Sequence, residues 1–267
     1  MYRLDYSDCI SPLPLVLYNI GSVKSPKVVD VFKITYYVYA QYIAHLRMTP
    51  EDYFESYQKG EQVDIDQIIG LTKFDLILND DRVRHIVTDA LNFFFVEDFT
   101  FYPEYQAFIS TKDKEDKNGK LEAIGVINRD NYADIIDIIL QRVHITPDEN
   151  EVDDISKIKN KRGRKIYERM MKARKKFKKH KPSDPKLTFP NIISSVAAKS
   201  HTIGWNNIFD ITVFQLFDLC EKLQIINQHD IAAMHVAAWG DKENKFEMNA
   251  WMTNIYDKDD NNVTDQK

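Results

Sequence analysis

The stretch Lys157–Lys181, KIKNKRGRKIYERMMKARKKFKKHK, carries 14 Lys/Arg against one acid, Glu168. It is net +13 in a chain of net −5, so the remaining residues together sum to −18. A run this charged is not core, and it divides whatever folds on either side of it. The acidic segment before it (TPDENEVDDIS, from Thr146) holds almost no core residues. Residues 146–190 are therefore read as a charged linker with a basic helix, joining a domain at 1–145 to a smaller one at 191–256. The polar segment 257–267 reads as a disordered tail.

The two flanking blocks have enough apolar material for real cores. Hydrophobic residues make up 43% of the chain and aromatics 12%, while Gly (8) and Pro (9) are scarce. Scarce Gly and Pro argue against a loop-rich all-β protein. The expected class is α+β, mainly α-helical. No apolar run is long enough to cross a membrane as a helix. The opening residues carry Asp5 and Asp8 and lack a basic start before an apolar core, so no secretory signal is expected. Cys9 and Cys220 lie far apart and read as free thiols of a reducing cytosol.

Element by element, residues 1–24 read as an extended lead-in, because Pro12 and Pro14 oppose a helix. A short strand is expected at Leu15–Tyr18, closed by Gly21. Ser25-Pro26 reads as a helix start, and Val28–Arg47 runs without Gly or Pro as one long helix. Its tyrosines (Tyr36, Tyr37, Tyr39, Tyr42) spread over more than one face. Core packing accounts for most of such a stripe, and the exposed remainder is a candidate partner surface. Further helices are expected from Thr49-Pro50, over Ile65–Leu78 with a break near Gly70, and after the Asn79-Asp80-Asp81 cap. In the last, Val83, Ile86, Val87, Ala90, Leu91 and Phe94 share a face.

A β-hairpin is expected near 99–127. Its arms are Phe99–Ser110 and Leu121–Ile127, with Asn118-Gly119 in a polar loop. Asn128-Arg129-Asp130-Asn131 then caps an isoleucine-rich helix, Tyr132–Val143, ended by Pro147. In the C-terminal block a short helix is expected at Ile192–Lys199 and a turn at His201–Trp205. Thr212 and Gln215 form a capping-box pair before a helix through Val213, Phe214, Leu216, Phe217, Cys220 and Leu223. Two more helices follow, Gln228–Trp239 with small residues and a short one holding Trp251 and Ile255.

Sequence patterns for catalysis are not found. The seven histidines show no i, i+3 or i+4 pairing, and no H-E-x-x-H or C-x-x-C occurs. A zinc site is thus not expected. Asp257–Asn261 imitates the start of a calcium loop but has Asn262 where that loop needs glycine. Phosphate-loop, dinucleotide and nucleophile-elbow motifs are missing. The expectation is a non-enzymatic protein with no cofactor and no metal.

The basic stretch leaves three readings open. Ile166, Met170 and Phe177 fall near one side of a helix, with Tyr167 and Met171 also interrupting the bases. Such a helix could lean on the chain's own acidic domains, meet an acidic protein, or contact nucleic acid through Arg162, Arg164, Lys165, Arg174, Lys175 and Lys176. Nucleic acid is disfavoured by the negative charge elsewhere, and Tyr167 and Phe177 are the only stacking candidates nearby.

Five local patterns occur in a suggestive order. They are Ile20-Gly21-Ser22-Val23-Lys24-Ser25-Pro26 before the tyrosine helix; Phe74-Asp75-Leu76-Ile77; Asn128-Arg129-Asp130-Asn131-Tyr132; the Lys/Arg hinge; and Asn207-Ile208-Phe209-Asp210-Ile211-Thr212-Val213-Phe214-Gln215-Leu216-Phe217-Asp218. This order resembles tail assembly chaperones encoded among the tail genes of bacteriophages of Gram-positive bacteria. The resemblance covers most of the chain, each motif is short, and none is catalytic. It implies a role in the host cell cytoplasm, through contacts with the tape-measure or other tail proteins during virion morphogenesis. Candidate partner-binding residues are Tyr36, Tyr37, Tyr39 and Tyr42, with Trp205, Phe209, Phe214 and Phe217. The alternatives are a nucleic-acid-binding phage protein acting through 157–181 and a virion component of the tail or baseplate. Nothing in the pattern sets an oligomeric state, and no membrane partner is expected.

Overall fold

A computed structural model describes residues 3–57, 68, 70–115, 121–146, 162–163, 165–166, 169, 187–241, 245–254 and 256. The fold is α+β and mainly helical, as the composition predicts. The chain divides into two compact units, Met1–Pro26 with Asp30–Ser183, and Lys27–Val29 with Asp184–Lys267.

In the first unit, Tyr6–Ile10 forms a short helix (α1), placed just ahead of the prolines that were expected to keep the segment extended. Leu15–Leu17 (β1) pairs antiparallel with Gly21–Val23 (β2). The expected lone strand is thus a hairpin, turned by Asn19 at φ +57°. The expected long helix is two: Val28–Ile34 (α2) and Tyr36–Arg47 (α3). Thr35 separates them at φ +70° and caps α3. Ser25 does not cap α2, because its hydroxyl donates to the Ser11 carbonyl at 3.0 Å.

Pro50–Tyr57 (α4) starts at the expected Thr49-Pro50, where the Asp52 N–H donates to Thr49 Oγ1 at 3.2 Å. Lys73–Asn79 (α5) opens with a capping box of Thr72 and Asp75, after Gly70 at φ +92°. The expected Ile65 start lies outside the described residues. Asp81–Phe94 (α6) is capped by Asp80, as read. Its apolar face packs on α3, with Tyr39 edge-on to Phe93 at 6.1 Å.

The expected two-stranded hairpin is a three-stranded antiparallel sheet of Asp98–Tyr102 (β3), Ala107–Glu115 (β4) and Leu121–Ile127 (β5). The run read as one arm folds back at Pro103. Pro103 fits the second position of a β-turn closed by the Tyr105 N–H to the Tyr102 carbonyl, 3.2 Å. Asn118-Gly119 lies outside the described residues. The β1–β2 turn sits against β5: the Val126 N–H donates to the Asn19 carbonyl at 3.1 Å, and the Ser110 hydroxyl donates to the Ile20 carbonyl at 2.8 Å. Tyr132–Gln141 (α7) is buried through Ile135, Ile136, Ile138, Ile139 and Leu140. Just after it, the fully buried Arg142 donates to the carbonyls of Asp8 and Leu13, tying the N-terminal segment to the core.

The second unit is built on two helices. Phe189–Lys199 (α8) has proline in its first turn and buries Phe189, Ile192, Ile193 and Val196. Val213–Trp239 (α9) begins at the predicted capping box: the Gln215 N–H donates to Thr212 Oγ1 at 3.1 Å and the Thr212 N–H to Gln215 Oε1 at 3.0 Å. Two helices were expected here and one is found. No Gly, Pro or cap interrupts Leu223–Gln228, so the helix continues for about 40 Å at 1.5 Å per residue. It ends only at Gly240, φ +75°. Val28 joins this core, its N–H donating to the Ile211 carbonyl at 2.9 Å while Lys27 bridges Thr212. The last expected helix is a 3-10 turn, Ala250–Met252. Ile255 and the 257–267 tail lie outside the described residues.

Candidate functional site

The aromatic residues singled out in the sequence separate by burial. Tyr39 is 6% exposed and packs among Phe93 and Phe94. Burial raises its phenol pKa, with a smaller contribution from Tyr36. Phe214 is fully buried and faces Tyr256 at 6.1 Å. Neither offers surface to a partner, so both belong with the cores; helical periodicity marked them as apolar but could not say which side they face. Tyr42 and Phe217 are half-buried against Phe93 and Phe189 respectively. Phe209 is also half-buried, beside the backbone bond that its carbonyl accepts from Val29. Tyr36, Tyr37 and Trp205 are exposed, Tyr37 at 71% and Trp205 at 60%. Within the first unit Tyr36 and Tyr37 share the N-terminal end of α3.

Of the basic residues, Arg162 and Lys165 are exposed and helical, with Ile166 and Arg169 beside them. Arg164, Arg174, Lys175 and Lys176 lie outside the described residues.

The sequence reading missed a set of exposed apolar residues in the second unit. The first half of α9 is core, through Val213, Phe214 and Leu216. The second half is not. Ile231, Met234 and Trp239 are each more than half exposed, and Ile226 about a third. The segment after α9 adds exposed Met248, Trp251 and Met252. That segment folds back on the helix. The His229 ring lies 5.2 Å from that of Phe246, Lys222 Nζ donates to the Thr253 carbonyl, and the Phe246 N–H donates to Asp241 at 2.8 Å. A signal was present: from Leu223 to Gly240 the only acidic or basic side chain, histidines aside, is Asp230.

Several polar and charged groups among the described residues have structural partners. In the first unit Lys24, Pro26, Asp30, Lys33, Ile34 and Phe93 line an open groove of about 250 Å³. Lys33 pairs with Asp30 at 2.9 Å, and Lys24, its pKa lowered by burial, donates to the Asn92 carbonyl. The Asp80 carboxyl is held below the usual carboxylate range, first by its hydrogen bonds with Arg82, against an opposing effect of burial. It caps α6 and accepts the Tyr53 hydroxyl at 2.9 Å. Cys9 is buried, Cys220 is half-buried with its thiol pKa raised by burial, and neither is in a disulfide. Among the described residues no group of three or more His, Cys, Asp or Glu stands together, and no helix is long and apolar enough to cross a membrane.

Residues 177–256 match the model of a family described as YomV second domain, a phage-derived family. The match spans the second unit's two helices and the segment that follows them, and it hints at a phage protein. No curated protein and no solved structure matches the chain.

Proposed function

We propose that this chain is a phage tail assembly chaperone, a non-enzymatic protein that binds the tape-measure or another tail protein in the host cytoplasm while the tail grows. The observation that carries the reading is the apolar, nearly uncharged half of α9. It lies within the segment that resembles a phage-derived domain. A protein that shelters long apolar helices before assembly needs such a surface held open in its free state, since the partner's helical face is buried by apolar contact rather than by charge. Trp205 in the second unit and the exposed tyrosines of α3 in the first add secondary contacts. The basic stretch supplies charge steering toward acidic partners.

A second reading, nucleic-acid contact through 157–181, draws on the exposure of Arg162 and Lys165. One experiment separates the two. The chain is recovered from phage-producing cells at low and at moderate salt, with and without nuclease, alongside a form lacking 157–181. Recovery of a long helical tail protein that survives nuclease is the expected result. Recovery of nucleic acid alone, released by moderate salt, overturns the chaperone reading. Incorporation into purified particles would reassign the chain as a virion component.

A further inference from the structure

We propose that Thr35 is a conformational switch point. In this account α2 and α3 are two halves of one helix. They are broken at Thr35 while the first turn of α2 is held, and they join into a continuous helix over Val28–Arg47 when that hold is released. The inference concerns the chain by itself and stands apart from the chaperone reading.

The broken state carries a local cost. Thr35 stands at φ +70° and ψ 146°. That lies outside the small left-handed region and close to one that glycine alone uses freely, and the residue is β-branched. The sequence of Val28–Arg47 holds no Gly or Pro to call for a break. The bonding at the break is thin. The Thr35 N–H donates to the Phe32 carbonyl at 3.3 Å, and the Val38 N–H reaches Thr35 Oγ1 only at 3.5 Å. A continuous helix would give the Tyr36, Tyr37 and Val38 N–H groups the carbonyls of Phe32, Lys33 and Ile34.

The two halves are anchored away from the break. None of the residues from Phe32 to Val38 is buried, so side-chain packing beside Thr35 does not hold it in place. At the start of α2 the Val28 N–H donates to the Ile211 carbonyl at 2.9 Å and the Val29 N–H to the Phe209 carbonyl at 3.0 Å. Val28 and Val31 are buried there. α3 is fixed by buried Tyr39 and Leu46, with Tyr39 against Phe93 and Phe94. Thr35 thus takes up the mismatch between two fixed ends. Room to move lies alongside, in the open groove of about 250 Å³ that Ile34 and Phe93 help to line. A contact that draws the 209–211 backbone off α2 then resets the exposed Tyr36 and Tyr37 at the other side of the break.

The test is amide hydrogen exchange at Tyr36, Tyr37 and Val38 in the full-length chain. Val28→Pro loosens the hold, because proline has no N–H for the Ile211 carbonyl. It also suits the first position of a helix that follows the strand-like, bridged Lys27. Exchange at the three amides is expected to slow by about tenfold or more against wild type as the helix closes over them. Adding Thr35→Gly to Val28→Pro is expected to return the wild-type rate, since glycine adopts the broken conformation without a Cβ penalty. Exchange that Val28→Pro leaves unchanged overturns the proposal, as does a slowing that Thr35→Gly fails to reverse. Should Val28→Pro not fold, Thr35→Gly alone decides. It is expected to raise the urea midpoint read at tyrosine, and a midpoint that stays or falls overturns the proposal.

Discussion

Replacing Gly125 by alanine tests whether the first unit is organised by the contact between the β1–β2 turn and β5. A Cβ on Gly125 would lie 2.2 Å from the Asn19 carbonyl oxygen and 2.4 Å from both the Asn19 carbonyl carbon and Ile20 Cα. Ordinary contact needs about 3.5–4.0 Å, so the turn must retreat by more than about 1 Å. The obstacle is backbone and cannot swing aside. Retreat strains two hydrogen bonds, Val126 N–H to the Asn19 carbonyl and the Ser110 hydroxyl to the Ile20 carbonyl. Overpacking costs about 1–3 kcal/mol and each net hydrogen bond about 1 kcal/mol, so the expected loss is about 3 kcal/mol. Urea unfolding gives the readout. It is followed at tyrosine for the first unit, because all 3 tryptophans (Trp205, Trp239, Trp251) belong to the second. Gly204→Ala is the control, with nothing within 4 Å of its added carbon. It should stay within about 0.5 kcal/mol of wild type. A Gly125→Ala chain as stable as that control would refute the reasoning.

Three other changes probe the frame. Asp80→Asn removes the carboxylate that caps α6 and meets Arg82 and Tyr53, and should cost about 1 kcal/mol near neutral pH. Because the folded pKa lies below the unfolded one, this stabilisation is whole above about pH 4 and lost as pH falls through the folded value. The wild type and variant should therefore converge in acid, which acid unfolding curves will check. Arg142→Ala strips two carbonyls of their charged donor and should cost about 2–4 kcal/mol. Hydrogen exchange should rise first between Tyr6 and Leu13, and a uniform rise across the unit would argue against a local clamp. Thr212→Ala breaks the capping box of α9 and should lower the second unit's stability by about 1 kcal/mol, read at tryptophan.

Local chemistry made much of this fold readable. The Thr212–Gln215 capping box, the Asp80 cap and the apolar face of α6 are interactions between neighbours in sequence, and each is found where the residues place it. The errors come from choices that neighbours do not decide. Val28–Arg47 has no helix breaker, yet Thr35 takes φ +70° and ψ 146° there, a conformation rare for a β-branched residue and not signalled by its neighbours. Pro103 was a usable turn signal inside an alternating run, outweighed by the aromatic residues on both sides. The continuity of α9 was misread because its alanines look like close packing within a domain. The same residues on an exposed helix are an unfilled surface. Burial also divides Tyr39 from Tyr37 and Phe214 from Trp205, a distinction that period alone does not draw for aromatics spread around a helix.

The most direct test of the account is whether the chain keeps a tape-measure fragment in solution through α9. The two proteins are co-expressed, and the fragment remaining in the supernatant after centrifugation is measured. Wild type, Ile231→Glu with Met234→Glu, and Val16→Glu are compared. The account predicts a soluble fragment with wild type and with Val16→Glu, and a pelleted fragment with the α9 double variant. A fragment that pellets with wild type, or stays soluble with all three, would contradict it.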